Sequence, residues 1–209
     1  FWARFKARTT NLGTFTGGFQ KFADVFAEKL QSMGVVFRMP AAVSRITPQE
    51  NGKVVLATVK GDELFDRCLV TVSPGLLARM APDLPEPYLK GLLDLKSMGA
   101  VVMVLALRKR LSTKKYYWFN LPKSAGYPFL ALVEHTNFVP SENYGGDHIL
   151  YCGDYLETDH EYFKLTQEEL LERFMPAFKR INPEFSPEWV RKTWSISPIV
   201  LPKVASASA

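Results

Sequence analysis

Three short stretches frame the N-terminal part of this 209-residue chain: Gly17-Gly18, Ala42-Val43-Ser44-Arg45-Ile46 and Leu69-Val70-Thr71-Val72-Ser73-Pro74. After the glycine pair, apolar residues recur at helical spacing from Phe19 to Leu30, with polar residues on the other face. Gly34 follows where a left-handed residue is favoured at the end of a helix. The first of these elements is therefore predicted to be an amphipathic helix.

Short strands are predicted after this helix. The first two are Val35–Phe37 and Val43–Ile46. The segment Val54–Phe65 reads as a hairpin that turns at Lys60-Gly61-Asp62. Cys68–Val72 is a continuous apolar run, which predicts a strand buried on both faces, and Ser73-Pro74 ends it.

A second group of elements follows a proline-rich stretch, so we place a domain boundary near residue 78. A helix is predicted over Thr166–Arg180, with Thr166 and Glu169 in the capping-box pattern. The predicted strands are Gly99–Leu107, Tyr116–Leu121, Phe129–Val133, Ile149–Tyr155 and Trp189–Ser195. Because strands and helices do not alternate strictly, the pattern predicts an α+β fold, with helices packed on a mixed sheet.

Composition and charge narrow the classes of function. The net charge is +5, but no basic run interleaves with aromatic residues, which argues against a nucleic-acid partner. The basic stretch 108–115 is interpreted as a solvated turn or as a contact with anionic lipid. The three histidines are scattered, so no metal site is predicted. Without an apolar run of about 18 residues, we expect a cytoplasmic protein, with peripheral membrane contact left open.

The order and spacing of 17–23, Val43–Ile46 and Val70–Pro74 resemble the flavin-containing amine oxidoreductase family, over roughly residues 15–200. This family includes amine oxidases, protoporphyrinogen oxidases and phytoene-desaturase-like enzymes. The resemblance implies that residues 1–78 are a partial FAD-binding domain segment, with a helix and small antiparallel strands. Residues 79–200 would then be a substrate-binding domain above the isoalloxazine ring, and 201–209 a tail.

The resemblance also implies residues that bind FAD. The backbone of Val43 would contact the adenine end, and the chain at Ser73 and Pro74 would pass close to the cofactor; Gly17 and Gly18 are further candidates. The Gly-x-Gly-x-x-Gly turn that holds the pyrophosphate in such folds is missing from the sequence. We therefore expect the chain to be an internal fragment that binds FAD weakly or not at all, and that is inactive by itself.

Three residues are catalytic candidates. Met103 aligns with a lysine that many amine oxidases of the family use to hold a water at the flavin, so it favours desaturase-like or porphyrinogen-like chemistry, unless it is simply a core residue. Glu134 and His135 lie in a polar cluster after an apolar strand. They could line a substrate cavity, with His135 as a proton relay, or they could satisfy a turn.

The resulting hypothesis is a piece of an FAD-dependent oxidoreductase that oxidises an amine or an apolar CH–CH or CH–NH substrate by hydride transfer to flavin. One alternative is a flavin-dependent non-redox isomerase, which would want arginines in its pocket; Arg108 and Arg110 match this poorly. The other alternative is a stand-alone module that binds an apolar ligand or a protein.

Overall fold

The computed structural model describes residues 13–196 and the backbone of 201–202. These residues form two compact units that divide between Asp66 and Arg67, whereas the boundary predicted from the sequence lies near residue 78.

The first unit begins with helix α1, Gly18–Ser32. Gly34 adopts a left-handed conformation after it, with φ of 92°. The N–H groups of Gly34 and Val35 donate to the carbonyls of Gln31 and Leu30, which is the Schellman arrangement at a helix end. The predicted helix and its glycine terminator are therefore confirmed, and none of the α1 side chains is buried.

The remainder of the first unit is a three-stranded antiparallel sheet. Strands β1 (Val43–Pro48), β2 (Val54–Thr58) and β3 (Gly61–Phe65) lie in the order β1-β2-β3. The predicted hairpin is confirmed: β2 pairs with β3 over five residue pairs, from Val54 with Phe65 to Thr58 with Gly61.

Two strand predictions are wrong. Val35–Phe37 and Cys68–Val72 form no strand, and neither segment belongs to a sheet among the described residues. Leu69, expected inside a sheet, is 90% exposed. The composition of both segments favours a strand, but a strand also needs a neighbour that satisfies its backbone groups.

The second unit combines helices with one large sheet. Its helices are α2 (Pro74–Met80), α3 (Glu86–Leu93) and α4 (Gln167–Ile181). Its strands are β4 (Ser97–Leu107), β5 (Trp118–Asn120), β6 (Ala131–Glu134), β7 (His148–Glu157), β8 (Val190–Ile196) and β9 (Leu201–Pro202). Short 3-10 turns cover Lys123–Ala125, His135–Asn137, Ser141–Tyr144, Glu161–Lys164 and Pro187–Trp189.

The large sheet has the order β5-β6-β7-β4-β8, and β9 also pairs with β4. The α+β class is therefore confirmed. The sheet that we expected to be mixed shows antiparallel pairing at every recorded strand pair. Leu201–Pro202, assigned to the tail, pair with Met98 and Ser97 of β4. Residues 203–209 of the predicted tail lie outside the described residues.

Helix α4 covers one face of this sheet. The Thr166 hydroxyl accepts from the Glu169 N–H, and the Glu169 carboxylate accepts from the Thr166 N–H, so the predicted capping box is confirmed. The core beneath α4 is apolar and includes Val101, Met103, Leu105, Leu107, Leu132, Leu150, Cys152, Leu170, Phe174 and Phe178. Because strand side chains alternate between faces, the intervening residues of β4, β6 and β7 project from the opposite face.

Candidate functional site

The face of the large sheet opposite α4 carries a cavity of about 760 Å³, which we call the trough. Its lining is almost entirely apolar and aromatic, and it comes from strands β4 to β7 and the loop after β5. The lining residues are Ala100, Val102, Trp118, Asn120, Leu121, Pro122, Leu130, Ala131, Val133, Tyr151, Cys152, Gly153, Asp154 and Tyr155. A large concave apolar site with few polar groups is the usual form of a small-molecule site.

The floor of the trough is a row of small residues that crosses four strands. Val102 pairs with Gly153, Gly153 with Ala131, and Ala131 with Asn120. Neighbouring strands lie about 4.8 Å apart, so the row is roughly 14 Å long. Gly153 is required by the packing of the backbone: a Cβ atom there would lie 2.2 Å from the carbonyl oxygen of Val101.

Larger side chains stand on both sides of this floor. Tyr151 pairs with Val133, and Val133 with Trp118, so these three form the next row along the strands. Tyr155, which pairs with Ala100, lies on the other side. The trough therefore runs across the strands, with Tyr151, Val133 and Trp118 along one side and Tyr155 on the other.

His135 lies behind the side that carries Tyr151. Its Nε2 is 2.7 Å from the Tyr144 hydroxyl, and its ring contacts that of Tyr151 edge-on, with centroids 5.6 Å apart. Burial lowers the pKa of His135. Burial also raises the pKa of Tyr151, and the nearby phenols of Tyr144 and Tyr117 raise it further. His135 is absent from the trough lining and contacts the trough through the Tyr151 ring.

Glu134 faces away from the trough. Its carboxylate accepts from the Leu111 N–H at 2.7 Å, the Ser112 N–H at 3.0 Å and the Asn137 side-chain amide at 2.8 Å. The Leu111 carbonyl in turn accepts from the Asn182 amide at 2.8 Å. Burial raises the pKa of Glu134, although these hydrogen bonds oppose the shift. For Glu134 the hydrogen bonds are those of the second interpretation, in which the side chain satisfies a turn, whereas the relay role of His135 stays a prediction.

Met103 is fully buried in the core beneath α4. It pairs with Cys152, so its side chain shares the face of the core residues, and its neighbour Val102 lies on the trough face. Successive residues of a strand face opposite sides of the sheet, so Val102 and Met103, although adjacent in sequence, lie on different faces. The structure therefore places Met103 in the core and away from the trough.

Val43 lies in the first unit, on the edge strand β1. The pairing of β1 with β2 is interrupted by a bulge between Val43 and Arg45. A cavity of about 390 Å³ is lined by Val43 and includes Arg38, Lys60 and Glu63; Arg38 and Glu63 form an ion pair. This sheet is separate from the large one. Among the described residues no strand pairs with the outer edge of β1, and the cleft lies at the predicted adenine contact.

The other predicted cofactor residues are backbone features. Gly17 and Gly18 precede and begin α1 with φ values of 84° and 82°. Ser73 precedes α2 and Pro74 begins it, so this point starts a helix after an extended segment. Gly17, Gly18 and Val43 belong to the first unit, and Ser73 and Pro74 to the second.

The family profile described as flavin containing amine oxidoreductase matches residues 1–205. The chain belongs to this family. No curated protein matches it.

Solved structures of similar fold include enzymes with different chemistry. A protein of Exiguobacterium sp. 255-15, assigned as a protoporphyrinogen oxidase, aligns with a TM-score of 0.67 and 16% identity, over 86% of this chain and 39% of that one. A triple mutant of putrescine oxidase gives 0.63 and 15%, over 86% and 38%. Reduced UDP-galactopyranose mutase gives 0.64 and 18%, over 88% and 39%. At these identities the likeness concerns the fold alone, and the chain spans about two fifths of the length of each.

Membership of a flavin family raises the question of where FAD would lie. The bulged edge of β1 offers backbone donors and acceptors, which an adenine ring can pair with. The cleft beside Val43 is also lined by Lys60 and by the ion pair of Arg38 with Glu63, whose carboxylate offsets the charge of Arg38. These residues fit the adenosine end of the cofactor, while the glycine-rich pyrophosphate turn is missing from the sequence.

Proposed function

We propose that this chain supplies the substrate-binding domain and part of the cofactor domain of an FAD-dependent oxidoreductase. The substrate would be a small molecule, either an amine or an apolar compound with an oxidisable CH–NH or CH–CH bond, whose hydride passes to the flavin. The trough carries this proposal: it is the large apolar cavity of the second unit, in a chain of a flavin family.

In this scheme one group of residues binds the substrate and another binds the cofactor. The apolar floor and aromatic walls of the trough would bind the substrate and exclude water, which hydride transfer requires. The β1 edge at Val43, with Lys60, would hold the adenosine end of FAD. If His135 relays a proton, it would do so through Tyr151, because the Tyr151 ring lies between His135 and the trough.

The chemistry of the trough lining also bears on the alternatives. A nucleotide-sugar isomerase needs cationic side chains for its phosphates, and the trough lining contains no arginine or lysine. A stand-alone binding module would use the trough without a flavin. The two schemes differ in whether the longer protein that carries this chain contains a flavin.

The test is to produce the longer protein, record its flavin spectrum, and follow anaerobic bleaching by amines, porphyrinogens and polyenes. We expect a bound flavin that is bleached by at least one of these classes. A longer protein without flavin, or a flavin that none of the three classes reduces, would overturn the proposal.

A second measurement concerns the 209-residue chain by itself. Because the pyrophosphate turn is missing, we expect titration with FAD to show weak binding or none. A yellow preparation with stoichiometric flavin would contradict this expectation.

The place where the protein acts stays a prediction: the cytoplasm, with or without peripheral contact to the membrane. The helices in the described part of the chain are all too short or too polar to cross a bilayer.

A further inference from the structure

One polar side chain lies at the end of the trough floor. Asn120 ends the row that begins at Val102 and passes over Gly153 and Ala131. Along this row the floor carries an isopropyl group, no side chain and a methyl group, so the path to Asn120 is apolar and shallow. A molecule lying along the floor would meet Asn120 with its leading end.

The orientation of the Asn120 amide is fixed by its neighbour. The Trp118 indole N–H is 2.9 Å from Asn120 Oδ1, and an indole nitrogen can only donate. The oxygen of the amide is therefore engaged by Trp118, and the NH₂ group remains as a donor at the trough. Asn120 is exposed, so its two N–H bonds exchange water for a ligand acceptor, and they favour an acceptor over an apolar group by the modest net value of one hydrogen bond.

We propose that the trough selects an elongated apolar molecule that ends in a hydrogen-bond acceptor, such as a carbonyl oxygen, and that Asn120 is the residue that selects the acceptor. This inference rests on the proposed function, because it treats the trough as the substrate site. The length of the floor, roughly 14 Å across four strands, suits a fused-ring or extended chain molecule rather than a compact one.

Two probes of the same shape test the inference on the 209-residue chain: 2-acetylnaphthalene, which ends in a carbonyl, and 2-ethylnaphthalene, which does not. Binding is followed by NMR, with the Trp118 indole N–H signal as a local reporter and the amides of β6 and β7 as a map of the site. We expect the acetyl compound to bind about two- to tenfold more tightly, which is the net effect of one neutral hydrogen bond.

Variants assign this preference to Asn120. Asn120→Asp keeps an oxygen for the Trp118 indole but removes the NH₂ donor, so the ratio of the two affinities should fall to one or below. Asn143→Asp is the matched control, since Asn143 is an exposed asparagine in the 3-10 turn Ser141–Tyr144, and it should leave the ratio unchanged. Ala131→Leu fills the floor and should weaken both probes equally.

The possible failures are distinguishable. Equal binding of both probes to the wild-type chain, or a preference that survives Asn120→Asp, would overturn the role of Asn120 and leave the proposed function standing. If neither probe shifts signals from the trough, the trough is not an apolar ligand site and both the inference and the proposed function lose their support.

Discussion

Replacing the buried carboxylate of Glu134 by an amide tests how much its hydrogen bonds, at the end of β6, contribute to the free energy of unfolding. In Glu134→Gln the volume is kept, but one of the two carboxylate oxygens becomes an NH₂ group. If this group faces Leu111, the Leu111 N–H loses its acceptor at 2.7 Å. If it faces Asn137, two amide NH₂ groups meet at about the 2.8 Å of the present bond. Rotation of Asn137 would relieve that contact only by giving up its 3.0 Å bond to the Tyr116 carbonyl.

Each arrangement therefore loses at least one buried hydrogen bond. The cost of leaving a buried donor unsatisfied is about 1–3 kcal/mol, so we expect the free energy of unfolding to fall by that amount at pH 7. Urea denaturation of the 209-residue chain, followed by tryptophan fluorescence, measures it. Glu172→Gln, at an exposed position of α4, is the matched control and should change stability by less than about 0.5 kcal/mol.

The pH dependence gives an independent check of the same site. Burial raises the pKa of Glu134 above its ordinary value of 4.5. A raised folded-state pKa gives a contribution to stability that is complete below the unfolded pKa and is lost as pH rises through the folded pKa. Glutamine does not titrate, so the stability gap between wild type and Glu134→Gln should narrow as pH rises from 4.5 towards 7.

Two results would refute this reasoning. A gap no larger than that of Glu172→Gln would mean that the hydrogen bonds of Glu134 contribute little. A gap that widens with rising pH would mean that the donors of Leu111, Ser112 and Asn137 outweigh burial and lower the pKa of the carboxyl.

The remaining predictions concern the core and the main helix. Met103→Ala removes a fully buried side chain beneath α4 and should cost about 2–5 kcal/mol of unfolding free energy in the same urea assay, whereas Leu69→Ala, at a 90% exposed site, should cost less than about 0.5. An equal loss of unfolding free energy in the two variants would contradict the placement of Met103 in the core. Thr166→Ala breaks the capping box of α4 and should cost about 0.5–2 kcal/mol, while Thr166→Ser should restore most of the loss; no rescue by serine would show that the hydroxyl bond to Glu169 is not the cause.

An element could be predicted from the sequence when the residues that start it, pattern it and end it lie close together in the chain. Helix α4 carries its N-terminal cap, its apolar stripe and its terminating Asn182 within one short segment, and it was located within one residue at each end. Strands β4 and β7 were also found, because long apolar runs leave few alternatives. These features depend on residues close together in the chain.

The trough could not be predicted in the same way. Its floor joins Val102, Ala131 and Gly153, which become neighbours only through the register of three strands. Nothing in the sequence of one strand states which residue of another lies opposite it. The same limit explains Met103: the strand was predicted correctly, but the face on which its side chain lies follows from the register and from the side on which α4 packs.

The two wrong strand predictions fit the proposed function. Val35–Phe37 and Cys68–Val72 have the composition of strands, and both expose apolar side chains, including Val36 at 75% and Leu69 at 90%. Isolated exposed apolar residues are ordinary, but continuous runs of them usually mark surfaces that another element covers. The chain spans about two fifths of the length of its structural neighbours. Under the proposal, these two runs, which are not strands in this structure, would become strands by pairing with segments of the longer flavoprotein. In the longer protein both segments should then show slow amide hydrogen exchange, and fast exchange there would count against their pairing.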